Sequence, residues 1–245
     1  MSLQARNVMV KVAFTSTAYG PLWKPAVDSW MRVIGYTQRE LIQSGKGTLG
    51  GIGLTDRSYT HSAQNQLVKD LLTDDSFTHL FMTEMDMILP DDCIMKLLEV
   101  NKPIVSGIYF LRNGNGQPCL YKKVVTTKDN PWPMSPVSIF PTKNPFLLNG
   151  NPGLGCVLIE RSVFEKLKEP WFDLKEYTYG SDMYFFSKVG WDKIEVWAHP
   201  GVMCKQIDYT VVDQEDYYTR LKNDSKFAGS GYIIGTEEDL SAPLK

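Results

Sequence analysis

Residues 80–90 read LFMTEMDMILP, an apolar run, then Glu84 and Asp86 on either side of Met85, then Pro90 ahead of a helical segment. Side chains two apart in an extended segment point to the same face, so the reading places two carboxylates side by side where a hydrophobic strand ends. Like charges that close, in partly dry surroundings, repel and are costly to ionise. A hard divalent cation reverses the cost, because such ions take a few carboxylates and complete their shell with water and phosphate oxygens. The alternative is an acidic strand-to-helix turn in which one carboxylate caps the helix. Asp91 and Asp92 sit where that cap belongs, which leaves Glu84 and Asp86 without a structural task.

Outward from this stretch, strands alternate with helices. Residues 91–100 are expected to be helical, with acids in the first turn and Ile94, Leu97 and Leu98 facing inward. Residues 103–110 (PIVSGIYF) read as a strand, and residues 60–72 as a helix with Ala63, Leu67, Val68, Leu71 and Leu72 on one face. Residues 8–15 (VMVKVAFT) read as the first strand, closed by the polar turn STAYG at 16–20. Residues 23–44 are helix-compatible, with Trp30, Val33 and Ile34 on one side. Gly45, Gly47 and Gly50 match the dinucleotide fingerprint G-x-G-x-x-G, but here a helix leads in and a β-like segment at 48–54 follows. The fingerprint needs the opposite order to bring phosphates to a helix N-terminus, so the segment is read as a helix-to-strand connection. The pattern predicts an α/β fold: an open, mostly parallel, Rossmann-like twisted sheet flanked by helices. Ligands of such sheets collect at the carboxyl ends of strands, where Thr17, Asp56 and the acidic pair fall.

The organisation changes after Arg112. Residues 113–146 hold six prolines together with Trp132, a composition that suits a looped excursion or edge strands. Regular structure returns at 154–167 (LGCVLIERSVFEKL), a strand to Ile159 and then a helix with Val163, Phe164 and Leu167 facing in. Residues 181–189 are expected to be helical, opened by Ser181 or Gly180, and 194–197 to form a last short strand. The chain is therefore read as one domain over 1–245, with halves at 8–112 and 147–210, the excursion at 113–146, and an extension at 211–245.

The bulk composition excludes several classes. The 245 residues are 43% hydrophobic and 22% charged with a formal net charge of −2, and no basic cluster suggests a nucleic-acid surface. No apolar stretch approaches the roughly 20 residues that span a bilayer. The N-terminus lacks the apolar core of a secretory signal. Cys93, Cys119, Cys156 and Cys204 show no C-x-x-C spacing, so neither a zinc site nor a disulfide framework is indicated, and a reducing, cytoplasmic setting is expected.

Several pieces, in order, resemble the GT-A-fold glycosyltransferases, above all the small single-domain kind of bacteria and phages. They are the first strand ending in Thr17-Ala18-Tyr19-Gly20, A-Q-N-Q-L-V at 63–68, T-H-L-F-M-T-E-M-D-M-I-L-P at 78–90 and P-I-V-S-G-I-Y at 103–109. The second half adds G-x-G-C-V-L-I at 153–159, E-P-W-F at 169–172 and G-S-D-M-Y-F-F at 180–186. The resemblance covers roughly residues 8–210 and implies a nucleoside-diphosphate sugar donor, of the UDP class, held through Mn²⁺ or Mg²⁺, with an unknown acceptor. The family's D-x-D motif falls on Glu84-Met85-Asp86, so its first acid is Glu. The family's A-R-N falls on Ala63-Gln64-Asn65, so its arginine is absent. A histidine ligand found in many members aligns with Gln206, whose carbonyl oxygen is a neutral and weaker donor.

The resemblance further implies direct displacement with inversion. Glu84, Asp86 and Gln206 would hold the metal, with His199 in reserve, and Asp182 would be the general base. Thr17, Tyr19, Asp56, Arg57 and Gln64 would line the donor site, Lys205 would contact phosphate, and Trp132 or Trp171 would offer a face to a sugar ring. The competing readings are a catalytically silent nucleotide or carbohydrate binder with a weakened metal site, and a sugar-1-phosphate nucleotidyltransferase. The second is disfavoured because residues 16–24 hold one glycine and one lysine, not a Gly-rich basic loop.

Overall fold

The computed structural model describes residues 9–55, 58–112, 116–123, 134–139, 142–148, 150–174, 180–207, 211–212, 214–215, 217–218 and 232–234. The chain runs through β1 (Val10–Thr17), α1 (Lys24–Gln43), β2 (Gly47–Thr55), α2 (Thr60–Thr73), β3 (His79–Glu84), β4 (Met87–Ile88), α3 (Cys93–Glu99) and β5 (Ile104–Ile108). It continues with β6 (Leu120–Lys123), β7 (Met134–Ile139), β8 (Phe146–Leu147), β9 (Gly150–Pro152), β10 (Cys156–Glu160), α4 (Arg161–Lys166) and α5 (Ser181–Trp191). The last elements are β11 (Val196–Met203), β12 (Lys205–Ile207), β13 (Val211–Val212) and β14 (Tyr232–Ile234).

Seven strands form the main sheet in the order β2-β1-β3-β10-β5-β11-β8. β2, β1 and β3 are mutually parallel, as are β5 and β11, whereas β10 runs antiparallel between β3 and β5 and β8 runs antiparallel at the edge. The expected α/β architecture with a mostly parallel sheet is therefore present. The Gly-rich segment is strand β2, preceded by helix α1, so the rejection of a dinucleotide site holds. The prolines of the excursion leave room for β6 and β7, which pair in a separate four-stranded sheet ordered β14-β7-β6-β9. β4 belongs to a third sheet with β12 and β13.

Alternation along the strands builds two apolar layers. Val12, Phe14, Phe81, Val105 and Leu158 face α1 and α3, meeting Trp30, Val33, Leu41, Ile94 and Leu97. Ala13, Leu80, Met82, Ile104, Val157 and Ile159 face the other side, against Val68 and Leu71 of α2, Phe164 of α4, and Phe185 and Phe186 of α5. Burying each of these large side chains contributes roughly 1.5–3 kcal/mol. The rings of Phe14 (β1) and Trp30 (α1) lie 5.9 Å apart and hold that helix against the sheet, and those of Phe172 and Phe185, 4.9 Å apart, tie the E-P-W-F segment to α5.

Two expectations about the acidic stretch need correction. β3 ends at Glu84, and Met85 and Asp86 form a turn, so the carboxylates are not successive same-face positions of one strand. Burial of Met85 and pairing of β4 with β12 pull the chain out of the main sheet at that point. Helix α1 secures the exit, with Trp30 Nε1 donating to the Met87 carbonyl at 3.1 Å and the Leu89 amide donating to Ser29 Oγ at 3.1 Å. The acids at 91–92 do not cap α3 through their side chains. Asp91 pairs with Arg32 at 2.9 Å and Asp92 with Lys96 at 2.9 Å, while Asp92 occupies the N-cap position without a side-chain cap bond.

Candidate functional site

Parallel register brings the carboxyl ends of the first three strands level, with Thr17 opposite Thr55 on one side and Glu84 on the other. Thr17 is buried there, and Tyr19, two residues on, is exposed. Tyr19 joins Ser58, Tyr59 and Ser62 in lining an open cleft of about 600 Å³ at the start of α2. Asp56 and Arg57, expected in this neighbourhood, lie outside the described residues, as does Trp132.

Asp86 is 3% exposed. Its Oδ2 lies 3.0 Å from Arg112 Nη1 and accepts from Gln206 Nε2 at 3.3 Å, and its backbone carbonyl accepts from the Ile207 amide at 2.8 Å. The second carboxylate of the pair thus has structural partners, which the sequence reading had denied it. Pairing of Gln206 with Met87 across β12 and β4 is what carries the Gln206 side chain to Asp86. Lys205, one residue earlier, alternates to the exposed side of the same strand.

Glu84 is partly buried and its pKa is pushed up to about 8, first by burial and then by the charges of Asp86 and Asp182, with Arg112 pulling the other way. Asp182 is raised to about 6, chiefly by burial, against hydrogen bonds from backbone amides. Glu84 at the end of β3 therefore feels both Asp86 of the following turn and Asp182 of α5. Asp182 stands in the first turn of α5, as expected, and its Oδ1 accepts from the Met183 amide at 2.8 Å. The helix is opened by Gly180 at φ 104°, a left-handed conformation that glycine adopts freely, and a Cβ there would lie 2.6 Å from Asp182 Oδ1.

Below the acids sits a row of side chains the sequence reading did not select. Tyr109 and Tyr121 both hydrogen-bond Cys119, and Tyr109 and Cys119 sense the charges of Glu84 and Asp182. Gly153 is required by this packing, because a Cβ would collide with the Tyr109 hydroxyl. Arg112 was also missed. Its signal was positional: a basic residue just past the carboxyl end of a strand in an open α/β sheet.

Other expected site residues have structural tasks. Gln64 is buried, and its Oε1 accepts from Ser181 Oγ at 2.6 Å, tying α2 to the start of α5. Asn65 clamps the E-P-W-F segment: its Oδ1 accepts from the amides of Trp171 (3.0 Å) and Phe172 (3.1 Å), and its Nδ2 donates to the carbonyls of Phe172 (2.7 Å) and His61 (2.8 Å). Asn65→Ala is expected to destabilise the fold by roughly 2–4 kcal/mol, at about 1 kcal/mol per bond with buried amides left unmet, as read by urea denaturation. Trp171 is a core residue, not a sugar platform; its Nε1 donates to the carbonyls of Phe164 (2.9 Å) and Leu167 (3.2 Å). His199 closes a local turn by accepting from the Gly201 amide at 3.0 Å and senses Lys96, Glu99 and Asp92 on the α3 side, so it is not gathered with the acids.

A divalent ion fits the donor set in one form. Among the described residues no group of three or more His, Cys, Asp or Glu side chains is arranged to hold a metal by itself. Ions such as Mg²⁺ are commonly held by one or two carboxylates plus substrate phosphates, and such an ion would offset the cost that burial and the charges of Asp86 and Asp182 place on an ionised Glu84. The raised folded-state pKa means that Glu84 supports the fold in full below about 4.5, and that this support is lost as the pH rises through about 8. Glu84→Gln is thus expected to raise the melting temperature of the ligand-free protein by a margin that widens from pH 5 to pH 9. A margin independent of pH would speak against the crowding of charge.

No family model and no curated protein sequence matches the chain. Solved structures do resemble it in fold. The crystal structure of A197 from STIV is similar with a TM-score of 0.55 at 17% identity, over 84% of this chain and 94% of that one. GalNAc-T7, solved with UDP, GalNAc and Mn²⁺, is similar with a TM-score of 0.54 at 11% identity, over 83% of this chain but 45% of that one. The chain thus spans less than half of GalNAc-T7, and the likeness is one of fold. The GT-A-like α/β fold expected from the motifs is the fold of this chain. Among the described residues no helix is long and apolar enough to cross a membrane.

Proposed function

We propose that the protein transfers a sugar from a nucleoside-diphosphate sugar, of the UDP class, to an acceptor hydroxyl with inversion at the anomeric carbon. The observation that carries this reading is that Asp86 and Asp182 both act on Glu84 at the carboxyl end of β3, while Arg112 links Asp86 to Tyr19 at the edge of the open cleft. Thr17 and Tyr19 would meet base and ribose, with Asp56 and Arg57 following β2. Asp86 and Glu84 would hold Mn²⁺ or Mg²⁺, with Gln206 orienting Asp86 through its amide. When bound, such an ion supplies Lewis-acid stabilisation for the charge that develops on the diphosphate. Asp182 would take the acceptor hydroxyl's proton as general base. Gln64 acts on it indirectly, by fixing Ser181 and hence the helix start. Lys205, on the outer side of β12, would reach phosphate only from the rim.

The test is a panel of UDP- and GDP-sugars incubated with the protein in Mn²⁺ or in EDTA, with nucleotide release as the readout. Metal-dependent release from at least one donor is expected. No release from any donor, together with no thermal stabilisation by any nucleotide, contradicts the proposal. A silent binder is the second reading, favoured by the double engagement of Asp86 with Arg112 and Gln206. It predicts metal-dependent UDP binding without turnover.

A further inference from the structure

We propose that Arg112 is an exchangeable counter-cation: it holds Asp86 in the free protein and moves onto the donor's diphosphate when a divalent ion takes that carboxylate. The inference rests on the transferase reading and deepens it.

Its first support is an asymmetry within the pair. The Asp86 side chain is 4% exposed and the Arg112 side chain 42% exposed, at a separation of 3.0 Å. The acid is fixed from behind by Gln206 and by the pairing of β12 with β4, whereas the guanidinium reaches in from solvent. An exposed cation leaves a pair at small cost, because water recovers its hydration; a buried carboxylate left alone is far more expensive. Release of Arg112 therefore requires another cation at Asp86. A divalent ion shared between Asp86, Glu84 and phosphate meets that requirement.

The second support is where the guanidinium lies. Arg112 also interacts with the Tyr19 side chain, which borders the cleft formed with Ser58, Tyr59 and Ser62. It thus bridges the loop after β1 and the turn after β3. A diphosphate joining a nucleoside in that cleft to a metal on Asp86 would cross the same gap. Guanidinium presents a planar fork of donors that matches two phosphate oxygens as well as it matches a carboxylate. The base of its loop is anchored, with the Leu111 amide donating to the Gln117 carbonyl at 2.8 Å and Phe110 bridged to Pro118.

The exchange makes two predictions of opposite sign. Arg112→Ala removes a competitor for Asp86, so Mn²⁺ alone should bind about fivefold tighter, as read from the electron spin resonance signal of free Mn²⁺. The same variant loses its contact to phosphate, so UDP in saturating Mn²⁺ should bind roughly ten- to a hundredfold more weakly by calorimetry. Arg112→Lys keeps the charge without the fork and should fall between wild type and alanine in both measurements. Circular dichroism on both variants checks that the fold is kept. A purely structural Arg112 would weaken Mn²⁺ and UDP together, and that result overturns the exchange. Equal UDP affinity in wild type and Arg112→Ala overturns it too, as does wild-type UDP binding that is the same in Mn²⁺ and in EDTA. Wild-type protein that binds neither Mn²⁺ nor UDP is a different failure, because it removes the transferase reading itself and the exchange with it.

Discussion

Asp86→Ala is expected to lower metal-dependent sugar transfer by about 10³-fold, because charge stabilisation by a bound metal is worth several kcal/mol in the transition state. The same substitution should abolish the Mn²⁺ dependence of UDP binding. Its effect on folding is expected to be much smaller. Arg112 is close to half exposed and rehydrates, leaving Gln206 as the main group deprived of a partner, at about 1–2 kcal/mol. Activity, UDP calorimetry and urea denaturation on one preparation separate these effects. A variant that keeps its activity rules out Asp86 as a ligand.

Asp182→Asn is expected to reduce turnover by roughly 10²–10⁴-fold while leaving UDP affinity close to wild type, since general-base assistance is made only in the chemical step. The pH profile gives the second signature. Burial holds the Asp182 carboxyl at about 6, above its ordinary value. A general base works deprotonated, so turnover should rise with pH through about 6 and level off above it. In Asp182→Asn that rise should vanish. A pH-independent wild-type rate between 5 and 7, with an Asn variant near full activity, would assign proton removal to another group.

Period and punctuation made most of the fold legible. Helical spacing located α1 and α2 to within a residue or two, and the helix-before-strand order around Gly45 and Gly47 was enough to reject a dinucleotide loop. The antiparallel insertion of β10 between β3 and β5 was not legible, because strand order depends on long-range pairing that no local pattern encodes. The acidic stretch shows the same boundary. Its residue types announced charge at a strand end, but the break at Met85 follows from pairing between β4 and β12, about 120 residues apart in sequence. Asp91 and Asp92 were assigned to a cap on position alone, and surface partners on α1 and α3 take them instead. Tertiary partners also decided the neighbours of the site. Asn65 and Gln64 lie in a motif read as donor-facing, and the structure uses them to join α2 to the E-P-W-F segment and to α5. Arg112 escaped notice because a single arginine beside a proline-rich stretch carries no periodic signal, and only the sheet brings it to Asp86.

One titration bears on the account more directly than any other: UDP into the unmodified protein by calorimetry, once in Mn²⁺ and once in EDTA. The acids after β3 gripping a cation that bridges to diphosphate predict binding at least about tenfold tighter with the metal. Equal affinity in the two buffers, or none in either, would contradict that claim.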